Sequence, residues 1–180
     1  HLQGASFEVG QALVQHPLTR AVGFTGSLQG GRALFDVANQ RPHPIPVFAE
    51  MGSVNPVFVL PQKLEQEGGA IAEMYAQSIT GSVGQFCTSP GIIVVTDSPA
   101  LEPFKQALAG SLIKVAPAKM LHQGIVKAFH SGRSKALATK GVELLTPVNE
   151  YDEAMSLPTL AQTGAANFLA NPHLHTEVFG

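Results

Sequence analysis

A strand, a helix and a second strand follow one another over residues 20–50. Residues 20–27, RAVGFTGS, form an apolar run that ends in a glycine turn. Residues 30–39, GGRALFDVAN, place Ala33, Leu34, Val37 and Ala38 on one face at helical spacing. Pro42, Pro44 and Pro46 end that pattern, and residues 45–50, IPVFAE, read as a second short strand. This order makes a βαβ unit, which requires parallel strands joined by a right-handed crossover. Neither apolar run alternates strictly, as in strands covered on both faces. The expected fold class is therefore α/β, with parallel sheets flanked by helices in a three-layer α/β/α arrangement.

The remaining pattern extends this reading. Residues 7–15 form a helix that Pro17 closes, and GSVNP (52–56) is rich in turn residues and marks a boundary. VFVL (57–60) reads as a strand. From Leu64 to Thr80 the spacing is helical, with Ile71, Met74, Tyr75, Ser78 and Ile79 on one face and Gly81 as the stop. A loop containing GQFCTSPG (84–91) leads to the strand IIVVT (92–96). Helices are expected over 99–110 and 118–131, and strands over 142–147 and 158–163, followed by a short helix to Leu169. The last residues, HTEVFG, are strand-like.

Composition narrows the function classes. Charged residues make up 13% of the 180 residues, against about 25% in ordinary soluble domains. A chain so poor in charge is expected to have much of its surface covered, by oligomerisation or by the rest of a larger polypeptide. The net charge is −2 and no stretch clusters Lys and Arg, so binding to nucleic acid or to an anionic membrane is not expected. No apolar run approaches the roughly 20 residues that span a bilayer. The single cysteine excludes an intramolecular disulfide and suits a reducing, cytoplasmic setting.

Three features carry chemistry. Cys87 lies between Gly84 and Gly91, beside Thr88 and Ser89. A thiolate there would be a nucleophile at the mouth of a parallel sheet, whereas a lone free cysteine is more often a small buried apolar residue. Glu50 ends an apolar strand and precedes MGS, a place for a semi-buried general base or for a solvated turn residue. In FTGSLQGG (24–31), Gly26 and Gly31 bracket a strand-to-helix turn whose amides can hold a phosphate. It matches neither GxGxxG nor the P-loop, where Arg32 stands in place of the lysine. HLH (173–175) has two imidazoles but no ligand cluster beside it except Glu177, so no metal site is expected.

Taken in order, the motifs HPLTRAVGFTGS, FAEMGSVNP, GQFC and EVFG resemble those of the aldehyde dehydrogenase superfamily across nearly the whole chain. That family carries an FTGS turn, an ELGG-like glutamate motif, a GQxC motif and an E-[IV]-F-G-P motif in this order, and Cys87 follows Glu50 by the usual interval. EMGSVNPVFVLP and GQFCTSPG resemble the branch of α-ketoglutarate semialdehyde (2,5-dioxovalerate) dehydrogenases and NADP-linked fatty aldehyde dehydrogenases.

The resemblance implies a set of roles. Cys87 would attack the aldehyde and carry a thiohemiacetal and then a thioester, and its backbone N–H would donate to the oxyanion. Glu50 would activate the water that releases the acid. The cofactor would be NADP or NAD: Ser27 would touch its pyrophosphate, Gly26 and Gly31 would shape the turn, and Met51 would border it. Glu177 would hold the nicotinamide ribose, with Phe179 beside the nicotinamide. The parent enzyme would be a dimer or tetramer.

Two departures stand out. EMGS has Ser53 where the family has its second glycine, and TSPG follows the cysteine where arginine is commoner; both are expected to concern substrate surroundings. Family members are far longer, so the chain is expected to be a fragment. Residues 1–50 would be the C-terminal part of a Rossmann-like dinucleotide-binding domain, and 51–180 an incomplete catalytic domain. Two functions stay open: an NAD(P)-dependent aldehyde dehydrogenase segment, or a folded module of that enzyme without activity of its own. An acyl-transferring relative that uses coenzyme A typically lacks the glutamate, so Glu50 argues against it.

Overall fold

The structure, a computed structural model, describes residues 7–148 and 155–180. The chain divides into two compact units, His1–Gly52 and Ser53–Gly180.

The first unit is the βαβ motif preceded by a helix. Helix α1 (Glu8–Gln15) is followed by strand β1 (Val22–Gly26), helix α2 (Leu28–Asn39) and strand β2 (Val47–Met51). The strands are parallel, in register from Val22↔Val47 to Gly26↔Met51, as the spacing requires. Ser27 caps α2 by accepting a bond from the Gly30 N–H at 3.1 Å, which satisfies one of the orphan donors of the first turn. Arg41 ties the far side together. Its guanidinium donates to the carbonyls of Val14 (2.7 Å), Thr19 (3.1 Å) and His16 (3.2 Å). One planar cation thus satisfies carbonyls left over at the end of α1.

The second unit is centred on strands β3 (Val57–Val59) and β4 (Ile93–Val95), helices α3 (Pro61–Thr80) and α4 (Leu101–Ile113). β3 and β4 are parallel, with Phe58 opposite Val94. Val59 and the partly buried Val57, Ile93 and Val95 pack on Leu64, Leu108 and Leu112, which are almost fully buried. Each such leucine contributes about 1.5–3 kcal/mol relative to its exposed state. The buried line of α3 is Leu64, Ala72, Tyr75 and Ala76. Met74 and Ser78, expected on the buried face, point to solvent instead. In their place the helix presents the small Ala72 and Ala76 to the core beside Tyr75. An earlier kink, where Glu67 leaves helical geometry, precedes Gly68 and Gly69, two poor helix formers.

The rest of the unit is built from short pieces. β5 (Ala118–Lys119) pairs antiparallel with β7 (Met155–Ser156), and β6 (Glu143–Leu144) with β8 (Ala161–Gln162). The helix expected over 118–131 is therefore wrong at its start. Residues 118–119 are strand, and α5 runs Gln123–Leu137, beginning where the His122 ring accepts bonds from the Gly124 and Ile125 N–H groups. A short helix, α6 (Ala165–Ala170), follows β8 as expected. HTEVFG is not a strand. A 3₁₀ turn covers Pro172–His175, and the residues after it have no ladder partner among the described residues.

Tyr75 links the core to the loop before β4, because its buried hydroxyl donates to the Pro90 carbonyl. Burial pushes its pKa from 10.0 up to about 12. The neutral phenol is favoured in the fold, so the unfolded chain releases its proton first. Stability from this group is full below pH 10 and falls as pH rises towards 12. Denaturant unfolding should show that fall, and Tyr75→Phe should remove it while costing about 1–3 kcal/mol at neutral pH. An unchanged alkaline profile in the variant would rule the assignment out.

Candidate active site

The FTGS turn and Glu50 lie at the carboxyl ends of β1 and β2, where open parallel sheets present ligand sites. Thr25 is the register partner of Glu50, and Gly26 that of Met51. The expectation that Glu50 is semi-buried does not hold. Along β2 Val47, Ala49 and Met51 turn inward, and Phe48 and Glu50 face solvent. Gly31 is buried, and a side chain on it would strike the Met51 thioether and the Phe24 ring. Met51 is thus the packing partner of Gly31, which lets α2 lie close against β2. With Gly30 bonded to the Ser27 hydroxyl and Gly31 to its carbonyl, the Leu28 and Gln29 N–H groups remain free donors at the helix start among the described residues. A pyrophosphate suits such a set.

Cys87 is exposed. This overturns the reading of a lone cysteine as a buried apolar residue. The residue also sits at the other end of its sheet from the place expected for an α/β site. Because β3 and β4 are parallel, the segments that precede them, 53–56 and 85–92, lie together at the amino ends of the strands. The ladder extends into both: the Gly91 N–H donates to Val54 O (2.9 Å) and the Val57 N–H to Ile92 O (2.8 Å).

Approach to the cysteine is unusual. Ser82, Val83 and Gly84 all have left-handed backbone angles, with φ of 51°, 59° and 72°. A β-branched residue there is strained by about 1–3 kcal/mol. The Val83 side chain offsets this by packing against Met120, Val126 and Phe129. Gly84 admits no side chain, since a Cβ would lie 2.5 Å from the Gly180 carbonyl carbon. The EVFG and GQFC motifs therefore meet. Val178 lies against Gly132 of α5, Glu177 and Phe179 are half-buried, and the Glu177 carboxylate has no partner among the described residues.

The turn itself is pinned. The Ser89 N–H donates to Phe86 O (3.0 Å), closing a β-turn with Cys87 and Thr88 at its corners. Asn55, with φ 42°, donates its amide to the carbonyls of Cys87 (2.8 Å) and Ser89 (3.1 Å). The Ser53 hydroxyl also donates to Cys87 O. The Ser89 hydroxyl reaches Gly84 O at 3.3 Å. Ser53, expected among substrate surroundings, grips the main chain of the cysteine. Asn55 carried a signal in the sequence only as part of a turn-rich stretch, although asparagine tolerates positive φ well. No group of three metal-ligating side chains occurs among the described residues, and His173 and His175 bond instead to Thr139 and Phe168 O.

A model described as the aldehyde dehydrogenase family matches residues 1–124. The chain belongs to the aldehyde dehydrogenase family. It is 45% identical over 180 residues to alpha-ketoglutaric semialdehyde dehydrogenase 2 of Azospirillum brasilense, covering 99% of this chain and 34% of that protein. It is 43% identical over 175 residues to alpha-ketoglutaric semialdehyde dehydrogenase of Acinetobacter baylyi, covering 96% and 33%. It thus spans about a third of the length of these curated aldehyde dehydrogenase relatives. The fold matches an NAD-dependent benzaldehyde dehydrogenase from Corynebacterium glutamicum with a TM-score of 0.79, at 19% identity over 98% of this chain and 39% of that one. The aldehyde dehydrogenase KauB from Pseudomonas aeruginosa matches with a TM-score of 0.77, at 21% identity over 96% and 36%. Among the described residues, no helix is long and apolar enough to cross a membrane.

An exposed thiol on a pinned turn should be open to reagents in the native state. A disulfide-exchange reagent such as dithionitrobenzoate should label Cys87 fully before unfolding. Labelling only after denaturant is added would show that the thiol is covered.

Proposed function

We propose that the protein containing this chain oxidises an aldehyde to its carboxylic acid with NAD(P)+, using Cys87 as the nucleophile. The substrate class is a semialdehyde, α-ketoglutarate semialdehyde or a similar aliphatic aldehyde. The supporting observation is the exposed Cys87 thiol on a turn held by side-chain bonds, in a chain whose 45% and 43% relatives are named for that semialdehyde.

The chemistry follows from the residue types. The Cys87 thiolate adds to the aldehyde carbon: a C–S bond forms and the carbonyl electron pair moves to oxygen. The Cys87 N–H has no hydrogen-bond partner among the described residues, so it is free to donate to that oxyanion. The hydride acceptor that the oxidation requires is supplied by NAD(P)+ when bound. Ser27 with the N–H groups of Leu28 and Gln29 would hold its pyrophosphate, while Gly26 and Gly31 shape that turn and Met51 packs behind it. Glu177 would bond the ribose, and Phe179 would lie beside the nicotinamide. Cys87 then carries the acyl group as a thioester. Glu50 takes a proton from water, the hydroxide adds to the thioester carbon, and the thiolate leaves with the acid released. The exposed apolar side chains, Phe48 and Phe58 among them, support an enzyme buried further in a dimer or tetramer, and the unpaired thiol suits the cytoplasm.

In the full-length protein, Cys87→Ala should cut aldehyde-dependent NAD(P)H formation by about 10³-fold or more, with cofactor affinity retained. Undiminished turnover in that variant would remove Cys87 from the mechanism.

A further inference from the structure

We propose that Ser53 and Asn55 are positioning residues that set the angle of the nucleophile through its own carbonyl. The inference rests on Cys87 being the nucleophile.

Three observations carry it. Loop tips are ordinarily mobile, yet the Cys87 carbonyl accepts from two side chains at once, the Ser53 hydroxyl and the Asn55 amide. A carbonyl oxygen has two lone pairs, so both are occupied and the peptide plane after Cys87 is fixed. Secondly, Asn55 also holds Ser89 O, the closing residue of the same turn, and its amide lies 3.3 Å from the Ser53 oxygen. The clamp is one connected network rather than two separate contacts. Thirdly, both residues come from the segment that enters the sheet beside the cysteine loop, locked there by the Gly91–Val54 bond. The clamp is therefore rigid at its base.

Fixing that peptide plane fixes ψ at Cys87. With the β-turn bond, it also limits where the thiol and the Cys87 N–H can point. The thiol must reach the aldehyde carbon while the N–H meets the developing oxyanion, so a loose turn loses both alignments together. A misplacement on the order of 1 Å can cost about 100-fold in rate. Ser53 stands where the family motif commonly has its second glycine, and its hydroxyl supplies the second donor. Asn55 meets its φ of 42° without the cost a β-branched residue would carry.

The test uses the full-length protein with Ser53→Ala, Asn55→Gly and the double variant. Glycine at 55 keeps the positive φ and removes only the amide. Each single change should lower kcat about 10-fold and the double about 100-fold. KM for the cofactor and the rate of Cys87 alkylation by iodoacetamide, which needs no alignment, should stay unchanged. Ser53→Thr, which keeps the hydroxyl, should restore turnover. If Asn55→Gly fails to fold, Ser53→Ala and Ser53→Gly decide alone, since glycine is the family's own residue there. Undiminished kcat in folded Ser53 variants overturns the proposal. So does a loss that threonine does not rescue, or one matched by an equal change in alkylation. A Cys87→Ala control separates the two readings. If that variant is active, the nucleophile assignment fails; if it is dead while Ser53→Ala is fully active, only the clamp fails.

Discussion

Three carbonyl oxygens in a row of four residues hold the second unit's loop in place: those of Cys87, Ser89 and Pro90. Each accepts a side-chain donor from outside the loop, from Ser53, Asn55 or the buried Tyr75. The donors are available because β3 and β4 are parallel neighbours. Parallel pairing brings the entries to both strands to the same edge, so a segment 30 and more residues away in sequence becomes the scaffold for the cysteine. The strained approach through Ser82, Val83 and Gly84 makes sense against this anchor. The chain must reverse tightly from α3, and the packing of Val83 on Phe129 and its neighbours supports a conformation that valine otherwise avoids.

The low charge content goes with exposed apolar strand faces. Strands of a sheet covered on both sides are apolar on both sides. Here Val57, Val59, Ile93 and Val95 are covered by α3 and α4, while Phe58 is 69% exposed on the opposite face. In the first unit Phe48 is 70% exposed, and Glu50 shares its face. The relatives that match this chain are about three times its length. Glu50 faces solvent in this unit, and the proposal that it acts as base rests on the motif it belongs to.

Much of the fold was legible because two periodicities are strong. The βαβ unit, the β3 and β4 strands and the Tyr75 helix all follow from apolar spacing and from turn residues. What misled was local. The start of α5 was set by the His122 cap and by a two-residue strand, neither of which apolar spacing reveals. HTEVFG has β-branched and aromatic residues but, among the described residues, no neighbouring strand to pair with. Met74 was misplaced because the buried stripe of α3 runs through Ala72, Tyr75 and Ala76, and the two alanines give weak apolar signals. At the site, the motif order pointed to Cys87 when its local sequence argued for burial. The clamp was not legible, since nothing in GSVNP shows that its side chains meet carbonyls 32 and 34 residues further on.

The central claim is that covalent chemistry happens at Cys87 while Glu50 completes the release of acid. Rapid quenching of full-length Glu50→Gln with α-ketoglutarate semialdehyde and NADP+, followed by peptide mass mapping, tests it most directly. The account predicts an acyl mass increment on the peptide that contains Cys87, with one equivalent of NADPH formed per bound acyl group. No adduct, or an adduct on another residue alongside continued turnover, would contradict it.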